Sequence, residues 1–262
     1  MTTLLMIVIT LIMLSVLIVV HEWGHYIMAR RMGVFVEEFS IGMGPLLFKK
    51  QGKETQFSIR ALPLGGFCKM RGEQFEEDEE GNAKVMIDPD DPRSYCNKTK
   101  GQRFLILVAG PAMNIIFAYV LLFISRLMHG ETIIMAVVNA GYDTVAFGSA
   151  IYQGLAMLLT GQAGLNEMAG PIGMVSMVHS FFEQGVMILM RFAAMISVNL
   201  GIMNLLPIPA LDGGQILIII IEKIIRRDID PQKAGIINTI GFMALMLFSV
   251  VVAVNDVFRI VG

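Results

Sequence analysis

His21, Glu22 and His25 fall within the five residues HEWGH, near the end of an apolar run that begins at Leu4. Four residues apart, the two histidines share one face of a helix, and Glu22 can reach the same pocket. This H-E-x-x-H spacing suits two imidazoles that hold a zinc ion while the glutamate acts on water as a general base. The plainer alternative is a chance match, or two histidines satisfied by hydrogen bonds inside a helix bundle. Its cost weighs against it. A charged side chain at bilayer depth costs about 2.5–3.5 kcal/mol on insertion scales, so ionisable residues there mark function.

The surrounding chain is a membrane chain by composition. Its 262 residues are 55% hydrophobic and 16% charged, with a mean hydropathy of +0.67, too apolar for an ordinary soluble domain. Several long windows are nearly free of charge, as transmembrane helices require. The net charge of -2 and the lack of a basic arm point to no nucleic-acid partner. Cys68 and Cys96 are not in C-x-x-C spacing and give neither a zinc-ribbon nor a disulfide signal. The first apolar run has no basic leader and is followed by Arg30-Arg31, so it reads as a retained span rather than a signal peptide.

Four spans are expected, at about residues 4–28, 104–127, 191–221 and 236–254. Between the first two, residues 33–103 form a polar segment. The thirteen Lys and Arg from Arg30 to Arg103 assign it to the cytoplasm. Within it, Val34–Phe48 and Gln56–Met70 are β-branched, aromatic and punctuated by Gly and Pro, and read as short strands of a hairpin-like layer with Lys49–Lys53 as its turn. Glu73–Glu80 reads as a solvated acidic loop. Residues 128–190 contain no Lys or Arg, which assigns them to the outer side. His129 and His179 lie there and are discounted as ligands. Ala169–Gly173 reads as a breaker. Both termini then lie outside.

The second span carries Gly110-Pro111 and, at membrane depth, Asn114, whose expected role is interhelical or site-positioning. The third is broken by Asn204-Leu-Leu-Pro207-Ile-Pro209-Ala-Leu-Asp212-Gly-Gly. Two prolines and two glycines stop a regular helix, and broken helices at membrane depth line binding sites. His21 precedes Arg30 by about 13 Å of helix, and Asp212 precedes Lys223 by about 16 Å. Two independent counts thus bring Asp212 and the histidines to similar depth under one membrane face. Two histidines, one carboxylate and an open fourth position are what catalytic zinc requires.

HEWGH, Gly110–Asn114 and Asn204–Gly213, in this order, resemble the site-2 protease family, in particular its bacterial branch of regulated intramembrane metalloproteases. Phe39–Pro45, Pro63–Phe67 and Gly170–Gly173 resemble that branch too. The resemblance implies a polytopic α-helical protein of the bacterial inner membrane, with a membrane-associated β-hairpin or sheet between its first two spans. It implies zinc held by His21, His25 and Asp212, with Glu22 as the base that activates the metal's water and passes its proton to the leaving amine. It further implies that Asn204 contacts substrate or steadies the site. The segment containing Gly42, Gly44, Gly65 and Gly66 would offer a strand edge to an unwound substrate, and Pro207 and Pro209 would shape the break. The substrate would be a protein with one transmembrane segment, such as an anti-sigma factor or a signal-peptide remnant, reached from within the bilayer. That branch usually carries PDZ domains between its second and third spans. The expectation here is a single intramembrane domain over residues 1–262 without one. A metal-ion transporter or carrier using the same His/Asp cluster is the alternative reading.

Overall fold

The computed structural model describes residues 3–73, 76–77, 83–84, 91–162 and 170–261. In chain order its elements are helix α1 (Thr3–Arg31), strands β1 (Val36–Gln51), β2 (Gln56–Met70), β3 (Glu76–Glu77) and β4 (Ala83–Lys84), and helices α2 (Lys100–Met128), α3 (Ile133–Leu159), α4 (Pro171–Glu183), α5 (Val186–Asn204), α6 (Asp212–Ile225) and α7 (Pro231–Val261). The chain divides into two compact units. One comprises Met1–Met13, Asn114–Met203 and Met243–Gly262, the other Leu14–Met113 and Asn204–Phe242.

Among the described residues, five helices are long and apolar enough to cross a membrane: α1, α2, α3, α5 and α7. The four expected spans leave out α3. Its apolar run is interrupted by Asn139, Tyr142, Asp143 and Thr144, which make it the least apolar of the five. The fold neutralises that interruption. Arg126 of α2 holds Asp143 at 2.8 Å, with Arg191 of α5 at 3.5 Å, and Asn139 donates to Glu131 at 2.8 Å. The break expected in the third span is present: α5 ends at Asn204 and α6 begins at Asp212, because the prolines between them supply no amide hydrogen and deny their neighbours helical backbone. The candidate crossing is α5 alone, Val186–Asn204 rather than 191–221.

In the first unit, Ala118 and Leu122 of α2 pack with Ala140 of α3 and with Ala194 and Val198 of α5. Small residues at such a seam let helix backbones approach, which is how association proceeds where lipid removes the hydrophobic drive. Asn114 is fully buried there, and its backbone carbonyl accepts from the Ser197 hydroxyl at 2.8 Å. The expected breaker at Gly170–Gly173 proves to be a helix start. Gly170 is the N-cap and Pro171 the first helical residue of α4. Two otherwise orphaned amides there, of Gly170 and Gly173, donate to the buried Asp256 carboxylate at 3.2 and 2.8 Å. Ala169 lies outside the described residues.

The second unit contains a sheet built from two long, bent strands rather than the short strands expected. Val36–Ile41 occupies the middle. On one side Phe39 lies opposite Cys68 and Ile41 opposite Gly66, an antiparallel pairing. On the other, Phe39 lies opposite Phe57 and Ile41 opposite Ile59, so residue numbers rise together and the two arms run the same way. The outer part of β1 then pairs antiparallel with β2, Lys49 opposite Ser58 and Gln51 opposite Gln56. The connecting turn falls at Gly52–Thr55, later than expected. β1 doubles back at Gly42 and Gly44, with φ of 85° and 82°, and β2 at Gly65, with φ of 91°. These are left-handed values that favour glycine. The central arm packs on the helices through Ala29, Val36, Phe39, Met70 and Ile106, and Trp23, Tyr26, Phe39 and Phe57 form an aromatic cluster beside it.

Candidate active site

Helix α1 carries His21 and His25 one turn apart with their rings edge to face, 4.8 Å between centroids. Both are more than nine-tenths buried. His25 Nδ1 donates to the Ile106 carbonyl of α2 at 2.9 Å. That bond fixes the tautomer and leaves the Nε2 lone pair facing inward. Two glycines make the approach possible. A Cβ on Gly110 would lie 2.3 Å from His25 Nε2, and one on Gly24 would lie 2.2 Å from the Ala109 carbonyl oxygen.

The third member arrives through the break. Ala210 adopts a left-handed φ of 74°, and its amide donates to Asn238 Oδ1 at 3.3 Å. Leu211 is extended and caps α6, so Asp212 begins the helix. The break is folded tightly over this first turn. A Cβ on Gly213 would come within 2.2 Å of the Leu206 carbonyl oxygen, and one on Gly214 within 2.3 Å of that of Ile208. Asp212 is thereby set against α1. Its Oδ2 lies 3.2 Å from His21 Nε2 and 3.4 Å from His25 Nε2, and the two Nε2 atoms are 3.2 Å apart.

These three distances test whether a metal fits. Ligands held tetrahedrally at about 2.0–2.1 Å from zinc are about 3.3 Å from one another, the separation found here for all three pairs. Asp212 Oδ2 is buried and makes no hydrogen bond, a costly arrangement for a carboxylate oxygen unless a cation meets it. Two nitrogens and one oxygen converging in this way form the one group of His, Cys, Asp and Glu among the described residues arranged to hold a metal ion. His129 and His179 are not part of it.

Glu22 stands beside the triad in a cavity of about 230 Å3 with His21, His25, Asn204 and Asp212. The arm Gly66–Met70 passes over it. The Cys68 amide hydrogen-bonds the Glu22 carboxylate, and a Cβ on Gly66 would meet the Ser40 carbonyl oxygen at 2.8 Å. Of the residues expected at the site, Asn204 lines the cavity. Gly42, Gly44 and Gly65 instead form the bends that shape the sheet, while Pro207 lies in the break and Pro209 packs against Gly241. Asn114 belongs to the first unit.

The cavity also holds residues that sequence reasoning passed over: Phe67, Cys68, Met70, Leu107 and Glu73. Glu73 had the reading of a solvated residue opening an acidic run. It faces the cavity, and burial pushes its carboxyl up to about 7 against the attraction of His25. Its position directly after a strand that ends in buried Met70 was the available signal. Most of the remaining run lies outside the described residues.

Known proteins resemble this chain over nearly its whole length. The model of peptidase family M50 matches residues 9–248. A putative zinc metalloprotease of Clostridium acetobutylicum is 32% identical, with 96% of this chain and 97% of the relative covered. Another from Clostridium perfringens is 30% identical, with 96% and 98% covered. The regulator of sigma-W protease RasP of Bacillus subtilis is 25% identical, with 95% and 97% covered. The first and last of these alignments extend over 340 and 411 positions, more than the 262 residues of this chain, so those relatives carry sequence opposite gaps in it. With a family match spanning almost its whole length, the chain belongs to peptidase family M50.

Proposed function

We propose that this chain is an intramembrane zinc endopeptidase that cuts single-span membrane proteins within or beside their transmembrane segment. The observation that carries the reading is the His21–His25–Asp212 triangle, sized for zinc, with Glu22 beside it. His21, His25 and Asp212 would hold the ion. Zinc there supplies Lewis-acid activation of water and of the peptide carbonyl. Glu22 takes a proton from the attacking water as the C–O bond forms and delivers it to the amide nitrogen as the C–N bond breaks.

A helix hides its peptide bonds, so a substrate must be presented extended. The arm Gly66–Met70 has a partner strand on one side only among the described residues. Its Cys68 amide faces Glu22, so a substrate strand added at that edge would lie across the catalytic cavity. Asn204, which lines the same cavity, would steady that strand. One relative's name, regulator of sigma-W protease, favours substrates of the anti-sigma-factor kind.

Connectivity supports four crossings, by α1, α2, α5 and α7. Helices α1 and α5 both run toward the cavity, ending past His25 and at Asn204, whereas α2 runs away from it. The chain between α2 and α5 must therefore begin and end on one side, so α3 cannot contribute a single crossing. The basic residues of the segment between α1 and α2 favour a bacterial inner-membrane orientation with the site toward the cytoplasm and both termini outside.

The decisive experiment is Glu22→Gln. Zinc content should be unchanged, and cleavage of a reconstituted single-span substrate should fall at least about a hundredfold, as for loss of a general base. Retained cleavage would sink the proposal.

A further inference from the structure

Next to the catalytic cavity lies a second one of about 290 Å3, between the turn after Met70, the start of α2, α6 and the start of α7. The two share Glu73. Its wall also carries Glu222, Asp228 and Arg103. Lys100 pairs with Asp228 at 2.9 Å, so three carboxylates face two cations.

Glu222 is the informative residue, only 4% exposed. Its Oε1 accepts from the Ile229 amide at 3.1 Å. Its Oε2 is buried and makes no hydrogen bond. The nearest cations, Lys100 Nζ at 3.6 Å and Arg103 Nη1 at 4.0 Å, stand beyond the usual charge-assisted distance of about 2.7–2.9 Å. Lys100 is drawn toward Asp228, and Arg103 lies over the Tyr95 ring at 5.2 Å. A buried carboxylate oxygen left in this state favours a further N–H donor bearing positive charge.

The path to it is built into the sheet. A peptide added along Gly66–Met70 passes the catalytic cavity at Phe67 and Cys68 and, at the end of that arm, meets Gly72 and Glu73 on the wall of the second cavity. Transmembrane segments carry Lys and Arg on their cytoplasmic flank as a rule. We propose that the second cavity is a substrate subsite for a Lys or Arg side chain of that flank, with Glu222 as its principal acceptor. This rests on the protease reading above and adds a specificity to it.

The test uses the purified chain in lipid vesicles with a single-span reporter whose cytoplasmic flank carries Lys, Ala or Glu at one position. The Lys reporter should be cut about tenfold more efficiently than the Glu reporter, chiefly through KM. Glu222→Gln should flatten that preference without changing zinc content. Because a buried ion-paired residue can be needed for folding, Ala234→Lys is the second variant. It sets a cation on the cavity wall from a half-buried helical position, and it should reverse the preference. Equal cleavage of all three reporters by the unaltered protein overturns the subsite and leaves the protease reading standing. Cleavage of none overturns both.

Discussion

Gly110 and His25 are 85 positions apart in the sequence and cannot be understood separately. The imidazole occupies the volume that a side chain at 110 would need, 2.3 Å from where a Cβ would sit. His25 is then held by the Ile106 carbonyl at 2.9 Å, so which nitrogen it turns toward Asp212 is settled by α2 and not by its own helix. Gly110→Ala should therefore displace the ring, reduce bound zinc and activity together, and lower stability by about 1–3 kcal/mol, the usual cost of overpacking. Metal analysis and thermal unfolding of the variant check this, and full zinc occupancy would count against it. At this scale the pattern HEWGH was legible, because i and i+4 share a helix face whatever the fold. The tautomer was not, because it depends on a carbonyl from another element.

Elements set the geometry by being interrupted. The break between α5 and α6 ends one helix at Asn204 and starts the next at Asp212, and Gly213 and Gly214 let it fold over its own first turn. The prolines announced a break. That the break would close on itself so tightly could not be read, since the clash is with carbonyls of Leu206 and Ile208 in a folded loop. The sheet is a similar case. Two β-rich stretches were visible, but not that each would double back at a left-handed glycine and leave Gly66–Met70 at the edge. Proline is tolerated on an edge strand where its missing amide faces outward. Cys68→Pro should thus fold and keep its zinc yet lose substrate cleavage, whereas Cys68→Ser, which retains the amide, should stay active. Equal activity of the two variants would remove the edge from the mechanism. Glu73 illustrates the opposite error. Six acids among eight residues look solvated, but the first of them is pinned by the strand before it.

For the whole molecule, the parity of crossings makes a direct prediction. Topology reporters fused after Gly130 and after Gly161 should report the same side of the membrane, although the 27-residue helix α3 lies between them. Opposite sides would demand that α3 cross alone and would contradict the shared cavity at the ends of α1 and α5. A second prediction concerns what reaches the site. We propose that the chain works without a PDZ filter between α2 and α5. It should then cut a single-span substrate with a bulky outer domain nearly as well as its trimmed form. Strict rejection of the untrimmed substrate in a reconstituted assay would refute this.

The sequence by itself determined the membrane solvent and the H-E-x-x-H pattern, and it pointed to Asp212 as their neighbour, because hydropathy, helical period and depth from a basic flank are local quantities that add along the chain. It also determined that something would break the helix before Asp212. Tertiary structure alone decided that His21, His25 and Asp212 meet at 3.2–3.4 Å, that Asp143 can lie in an apolar helix because Arg126 and Arg191 meet it, and that Glu73 belongs to a cavity. Each of these depends on a partner distant in sequence, and the energy of a buried charge is fixed by the neighbours that folding supplies rather than by the residue that bears it.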